Sequence, residues 1–409
     1  MQLFSNEILS QYLPKRLAIK LTAQGEKSVL QKHPWIFSNS IVKINKEGVS
    51  GDVSIIFGKN KNKVIGIGLY DPNSPIRIKM IHFGEGKIID AQFFKNKIEA
   101  AYNRREALLK TNTNSYRLLF GENDGFPGLI ADVYANVLVL KLYSEIWLPY
   151  LETILNQLIT KSSCDTVVLR LSRNLQASDA VSLEDGSVIY GYLDNSVVTF
   201  IEHGIYFFAN VIKGHKTGYF LDHRHNRKQV GELSTNKTVL DVFSYAGGFS
   251  IHALAHNAKA VTSIDISAQA LKIAKANAQL NTYSGEHHII VGDAFIELQK
   301  LIKNKNTFDI VVIDPPSFAK QQSDTVMAKK KYGQLARLGS QLTAKNGLLV
   351  LASCSSRVIA EDFFSINTFV LKQSSRTFKT INKTTHDIDH PISFKEGAYL
   401  KCGYYKFID

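Results

Sequence analysis

Cysteine is scarce in this sequence: only Cys164, Cys354 and Cys402 occur, far apart along the chain. That count excludes a disulfide framework or a cysteine-rich zinc site, and it fits a reducing compartment. No apolar run approaches the roughly 20 residues a helix needs to cross a bilayer, so no membrane partner is expected. The start, Met1-Gln2-Leu3-Phe4-Ser5-Asn6-Glu7, lacks a basic stretch followed by a long apolar core, and a cytoplasmic location is the expectation. No repeat or low-complexity tract is present. His252 and His256 stand four apart, but Ala253 and Leu254 occupy the place where a His-Glu-x-x-His zinc motif needs its glutamate, so no metal is expected. Acidic residues are the rarer charge, 36 against 49 basic, for a net charge of +13 over 409 residues. The surplus points to a polyanionic partner, nucleic acid ahead of a membrane surface.

What is present reads as an α/β protein of three parts. Residues 1–88 alternate short strands with turns, punctuated by Gly48, Gly51, Gly58 and Gly84. Period-two alternation of this kind predicts a small β-barrel. Its basic residues, among them Lys15, Arg16, Lys20, Lys43, Lys59 and Lys61, make it a candidate RNA platform rather than merely a solvated face. Residues 89–196 predict a linker helix over 93–110, strands near 129–134 and 137–143, a helix over 146–159, and strands near 167–172 and 188–192. That order suggests a small α+β domain without chemistry of its own, in which Asn123-Asp124-Gly125-Phe126-Pro127-Gly128 reads as a turn. From Val197 to the end, strand–helix alternation predicts a Rossmann-like doubly wound sheet closed by an antiparallel pair of strands.

Several apolar runs in this last part end in an acid or a thiol. Thr238-Val239-Leu240-Asp241-Val242-Phe243 leads into Ser244-Tyr245-Ala246-Gly247-Gly248-Phe249-Ser250 and a helix. Val261-Thr262-Ser263-Ile264-Asp265 and Ile289-Ile290-Val291-Gly292-Asp293-Ala294 follow. A dinucleotide fold would need Gly-x-Gly-x-x-Gly with pyrophosphate on the helix N-terminus, and that pattern is missing. Asp241 would repel a phosphate, whereas it suits the sulfonium and amino groups of S-adenosylmethionine. Asp265 is placed for ribose hydroxyls and Asp293 for an adenine amino group. The upstream stretch Gly214 to Arg227, containing Phe220, Asp222, His223 and Arg224, reads either as a charged turn or as a lid over cofactor and RNA.

Two further strand ends carry reacting groups: Asp314-Pro315-Pro316-Ser317-Phe318 after Ile310-Val311-Val312-Ile313, and Ser353-Cys354-Ser355 after Leu348-Leu349-Val350-Leu351-Ala352. C5 of a pyrimidine is a poor nucleophile until a thiolate adds at C6. Cys354 could supply that thiolate and Asp314 could hold the ring's N3/N4 edge. An amino-group methyltransferase also uses an Asp/Asn-Pro-Pro-aromatic turn but needs no cysteine, and Phe318 lies one residue late for it. An assembly protein that binds RNA without catalysis is the third reading. Lys320, Lys329, Lys330, Lys331 and Arg337 follow the Asp-Pro-Pro turn and suggest phosphate contacts beside the site. Cys402 and the pair His287-His288 read as core and as a solvated turn.

With these residues in view, nearly the whole chain resembles the bacterial 23S rRNA (cytosine-C5)-methyltransferases that join an N-terminal PUA domain to a class I methyltransferase domain. His33-Pro34-Trp35-Ile36-Phe37-Ser38 resembles the opening PUA motif. Lys216-Thr217-Gly218-Tyr219-Phe220-Leu221-Asp222-His223-Arg224 is similar to the family's pre-Rossmann signature, with His223 where Gln is usual. Asp389-His390-Pro391 with Tyr399-Leu400-Lys401 resembles its C-terminal signature. The resemblance implies S-adenosylmethionine-dependent formation of 5-methylcytosine in 23S rRNA, naked or in an assembly intermediate, and leaves a homodimer open. By motif position the cofactor set would be Phe220, Asp222, Arg224, Asp241, Phe243, Ser244, Gly247, Gly248, Phe249, Asp265, Ile266, Asp293, Ala294 and Asp314, with Cys354 and Asp314 catalytic. Related guanine-N7 enzymes lack the cysteine. The two-cysteine cytosine enzymes carry a second one near the Asp-Pro turn, where this chain has Pro316 and Ser317.

Overall fold

The alternation in Arg16–Leu21, which turns Leu17, Ile19 and Leu21 inward, builds the first sheet of a computed structural model describing residues 12–59, 63–178 and 184–409. Met1 to Glu7 and Lys61 lie outside the described residues. Six strands run in the order Trp35–Phe37, Ile76–Phe83, Val64–Tyr70, Val53–Phe57, Arg16–Leu21, Ile41–Ile44. Leu17, Ile19, Ile36, Ile56, Ile78 and Met80 form their shared core. A helix, Ala91–Leu109, starts where Asp90 accepts a hydrogen bond from the Phe93 N–H at 2.8 Å. A second sheet has the order Ser187–Tyr190, Thr166–Leu171, Val137–Leu142, Leu129–Tyr134, Ser115–Phe120. The predicted helix over 146–159 is split into a 3-10 turn, Glu145–Tyr150, and an α-helix, Leu151–Ser162. Pro149 inside the turn has no N–H to donate and crowds the preceding carbonyl, which prevents a continuous α-helix there.

Both sheets belong to one of two units, which also takes in Phe208–Leu221 and Ile388–Gly397. The stretch read as a simple turn is a buried hub of this unit. The Asp124 carboxylate accepts from Arg105 Nη1 at 3.0 Å, from Arg104 Nη2 at 2.6 Å and from the Phe120 N–H at 2.7 Å. Arg105 is wholly buried and also donates to the Asp389 carbonyl, while Asp389 accepts from the Arg117 N–H. Asp124→Asn would leave the Arg105 guanidinium buried without its counter-charge. The expected loss is about 3–5 kcal/mol, read as a lower urea midpoint; a shift within about 0.5 kcal/mol would contradict the role of the pair.

Strand–helix alternation does not begin at Val197, as the sequence pattern suggests. Val197–Glu202 and Ile205–Asn210 form a two-stranded sheet of their own. Only His203 and Gly204 separate them, with φ of 51° and 81°. Such a two-residue left-handed turn joins antiparallel strands and is far too short for a parallel crossover.

The second unit contains Asp222–Asp387 and Ala398–Asp409. Its strands are β1 (Thr238–Val242), β2 (Ala260–Asp265), β3 (Glu286–Val291), β4 (Phe308–Ile313), β5 (Thr343–Ser353), β6 (Phe378–Thr384) and β7 (Lys401–Phe407). Its helices are α1 (Arg224–Glu232), α2 (Gly248–Ala255), α3 (Ala268–Gln279), α4 (Ala294–Lys303), α5 (Thr325–Leu342) and α6 (Ala360–Lys372). The sheet order is β3-β2-β1-β4-β5-β7-β6. The first five strands pair in parallel, and β7 pairs antiparallel with β5 and β6, the closing pair the sequence predicts. Among the described residues no helix is long and apolar enough to cross a membrane.

Candidate active site

Parallel pairing brings the C-terminal ends of β1 to β5 to one edge of the sheet, where open α/β folds bind ligands. Order reverses at β1 and β4, and the turn after β1 is the tightest. Phe243, Tyr245 and Gly247 all take left-handed φ, of 63°, 47° and 80°. At Gly247 a Cβ would also meet Ile251 Cδ1 at 2.4 Å and the Ala274 Cβ at 2.8 Å, so glycine is required by close packing within the protein. Tyr245 is held by its N–H on Asp265 Oδ2 at 2.9 Å, and Ser244 by its N–H on the Ile264 carbonyl at 3.0 Å. Gly248 and Phe249 open α2.

Asp241 lies 1% exposed in β1. Its Oδ2 accepts from the Ser250 N–H at 3.0 Å and from the Ser250 hydroxyl at 2.6 Å. Oδ1 is buried with no hydrogen-bond partner, and the buried Ser244 hydroxyl likewise has none. Burial raises the Asp241 pKa to about 7, with Asp314 and Asp265 adding to the rise and Ser250 opposing it. A buried carboxylate oxygen left open in this way fits a cationic amino group. S-adenosylmethionine carries one and has no phosphate to repel, so the residues present fit that cofactor. From Ser250 the network continues through Ser263 Oγ at 2.7 Å to His287 Nε2 at 2.9 Å. His287 therefore sits within β3 and packs inward; it is not in a solvated turn.

The other cofactor candidates separate by environment. Asp265 Oδ1 accepts from the Ser267 N–H at 2.8 Å, Ile266 is 73% exposed, and Ala294 is buried at the start of α4. Asp293 Oδ1 caps α4 by accepting from the Phe295 and Ile296 N–H groups at 3.0 and 3.2 Å. Asp222 accepts from the Tyr399 hydroxyl at 2.9 Å. Arg224 is wholly buried, 3.6 Å from Glu202 and 3.5 Å from Asp387. Arg227 makes two 2.7 Å bonds to Glu202, and His252 donates to it at 2.9 Å. These two arginines and His252 thus share a buried network around Glu202. Phe220 belongs to the first unit, half-exposed, with Lys216 Nζ 5.7 Å from its ring.

Asp314 and Cys354 follow neighbouring strands. Asp314 comes directly after β4 with its N–H on the Val242 carbonyl at 3.3 Å, and Cys354 comes directly after β5. Ile313 and Leu351 are register partners, which fixes the two turns side by side. Cys354 is half-buried, with Sγ 3.8 Å from the Pro315 carbonyl. Ser353 donates to the Tyr332 hydroxyl at 2.9 Å, and Phe318 packs on Tyr332 at 5.2 Å between ring centres.

Lys401 and His223 are not assigned roles by sequence reading alone. Lys401 is 1% exposed in β7, paired in register with Ser353, and its ammonium is held by the Ser355 and Val358 carbonyls just beyond Cys354. Burial lowers its pKa to about 8, and Cys354 acts the other way. Its only signal in the sequence is the run Tyr399-Leu400-Lys401. Cys402 beside it is wholly buried core, and burial pushes its thiol pKa up. Of the basic residues after the Asp-Pro-Pro turn, Lys329 pairs with Asp362 at 2.7 Å and Lys331 lies 5.0 Å over Phe318.

Comparison with known proteins extends this picture. Residues 117–395 match the family described as S-adenosylmethionine-dependent methyltransferase, and residues 19–83 match a PUA-like domain. A Deinococcus radiodurans protein named ribosomal RNA large subunit methyltransferase is 40% identical over 395 residues, covering 95% of this chain and 96% of its own length. Escherichia coli ribosomal RNA large subunit methyltransferase I is 32% identical over 380 residues, covering 92% and 96%. A solved Streptococcus mutans structure described as a SAM-dependent methyltransferase shares the fold with a TM-score of 0.79 at 20% identity, over 95% of this chain and 99% of that one. A methyltransferase structure complexed with SAH has the same TM-score and identity, over 96% of this chain and all of its own.

Proposed function

The chain belongs to the S-adenosylmethionine-dependent methyltransferases, and we propose that it forms 5-methylcytosine in large-subunit ribosomal RNA through a transient bond between Cys354 and C6 of the base. The observation that carries this reading is the pair of side-by-side turns holding Cys354 and Asp314 at the ligand-binding edge of the sheet. Relatives along nearly the whole chain that are named as ribosomal RNA large subunit methyltransferases support rRNA as the substrate. A PUA-like module and a charge of +13 suit a polyanion.

In this mechanism the Cys354 thiolate adds to C6 and turns C5 into an enamine-like nucleophile. The buried Lys401 ammonium is held by the Ser355 and Val358 carbonyls and fixes the chain just beyond Cys354. Asp314 hydrogen-bonds the N3/N4 edge as charge develops on the ring. Asp241, Gly247, Asp265 and Asp293 would hold the cofactor, and the unpartnered Asp241 Oδ1 suits its amino group. S-adenosylmethionine, when bound, supplies an electrophilic methyl group. Loss of the C5 proton then lets the Cys354 sulfur leave.

Nucleoside analysis tests the product. Deproteinised rRNA incubated with labelled cofactor and digested is expected to carry the label in 5-methylcytidine. Label in a methylguanosine or in N4-methylcytidine would overturn the reading. The target nucleotide has to be unstacked, at a cost of a few kcal/mol when paired, so deproteinised RNA is expected to react faster than mature subunits. Equal rates would count against that part.

A further inference from the structure

His223 stands where the resembling family usually has glutamine, and its surroundings assign it a task. The ring is 5% exposed, with Nε2 3.4 Å from Asp314 Oδ1, within ion-pair reach but without hydrogen-bond geometry, and Nε2 has no other hydrogen-bond partner. On its other side, Asn226 Nδ2 lies 3.1 Å from His223 Nδ1. The Asn226 amide is oriented in turn: its Oδ1 accepts from the Thr384 hydroxyl at 2.6 Å and from the Tyr404 hydroxyl at 2.8 Å. An amide nitrogen can only donate, so His223 Nδ1 is the acceptor and the ring hydrogen sits on Nε2, toward Asp314. The ring is also packed against Phe249, with centroids 5.7 Å apart, which limits its tilt.

We propose that His223 is a positioning residue for Asp314: its Nε2–H, kept on that nitrogen by Asn226, faces Asp314 Oδ1 across 3.4 Å and shortens to a hydrogen bond when the base is bound, which leaves Oδ2 to hold the base. This inference rests on the reading of Asp314 and Cys354 as the reacting pair. Glutamine also ends in an N–H donor at similar reach, so it is the substitution expected to keep the task. The charged and titratable groups around the ring are Asp314 from the turn after β4, and Asp222, His225 and Arg227 from the start of α1. Burial lowers the His223 pKa most, but the Asp314 and Asp222 charges outweigh it and the net shift is upward. As pH falls, a second proton would go to Nδ1 and meet the Asn226 N–H. That would force the amide to turn over against two hydroxyls.

The test measures methyl transfer to an rRNA fragment for wild type, His223→Leu, His223→Gln and Asn226→Asp. His223→Leu is expected to lower kcat about 10²-fold, with little change in KM for the cofactor, because it mis-sets a group at the reacting centre. His223→Gln is expected to recover most of that loss. Asn226→Asp, nearly isosteric, draws the ring hydrogen to Nδ1 and is expected to slow the reaction as the leucine variant does. It covers the case in which leucine prevents folding. A purely structural role would lower thermal stability and disturb KM for the cofactor along with kcat, and glutamine as impaired as leucine would overturn the proposal.

Trapping on RNA containing 5-fluorocytidine separates the two levels. An adduct in wild type that forms equally fast in His223→Leu refutes the role of His223 alone. No adduct in wild type refutes the thiolate reading itself.

Discussion

Cys354→Ala is expected to abolish methyl transfer, by on the order of 10⁴-fold or more, because without a thiolate at C6 the cytosine C5 has no electron pair to offer. The same variant should bind S-adenosylhomocysteine nearly as wild type does. The buried polar atoms without a partner, Asp241 Oδ1 in β1 and the Ser244 hydroxyl on the turn after it, are not on the Cys354 turn. Binding measured by calorimetry alongside single-turnover rates distinguishes a lost nucleophile from a collapsed site. Full activity in Cys354→Ala would move the chemistry to N-methylation, which needs Asp314 but no sulfur. Neither Cys164 nor Cys402 is placed to substitute. Both are buried, and burial raises the Cys164 pKa to about 11 and that of Cys402 further still.

Cofactor affinity is expected to strengthen as pH rises through about 7, by up to about tenfold per unit below that point. The cause is Asp241. Its folded pKa is raised from 3.8 to about 7, chiefly by burial, so below pH 7 a proton competes with the cofactor's ammonium for the carboxylate. Binding near neutrality should therefore release a proton, visible as a dependence of the calorimetric heat on the buffer's ionisation enthalpy. In the cofactor-free protein the raised value works against stability. The folded state holds a proton that the unfolded chain gives up, so stability falls as pH climbs from about 4 to 7. Asp241→Asn removes the titration. It is expected to weaken cofactor binding by roughly 30-fold or more above pH 7 and to flatten its pH dependence. An unchanged pH profile in that variant would show that another group governs binding.

The strand-end edge that carries the candidate site is legible in the sequence because its signals are local. A short apolar run leading to Asp or Cys marks a buried parallel strand and its C-terminal end, and β1, β2, β4 and β5 all contain those runs. What periodicity misses is pairing at long range. Arg224 and Arg227 read as part of a basic lid, yet both are buried against Glu202, a residue on a hairpin more than twenty positions upstream. Asp124 reads as a turn residue and is a buried counter-ion, since nothing local reveals that Arg105 points at it. Asp389 and His390, close in sequence to β7, belong with the first unit instead. His287 falls in a polar stretch whose inward face becomes apparent only when β3 pairs with β2 and brings it to Ser263. In each case the partner comes from another element, beyond the reach of a pattern with period 2 or 3.6.

The central claim is a covalent bond between Cys354 and the base. A denaturing gel of protein with labelled cofactor and rRNA fragments containing 5-fluorocytidine tests it most directly. Fluorine at C5 blocks proton removal, so the adduct persists after methyl transfer. A covalent band in wild type that is missing in Cys354→Ala is the expected result. No band in wild type, while methyl still enters unmodified RNA, would contradict the claim.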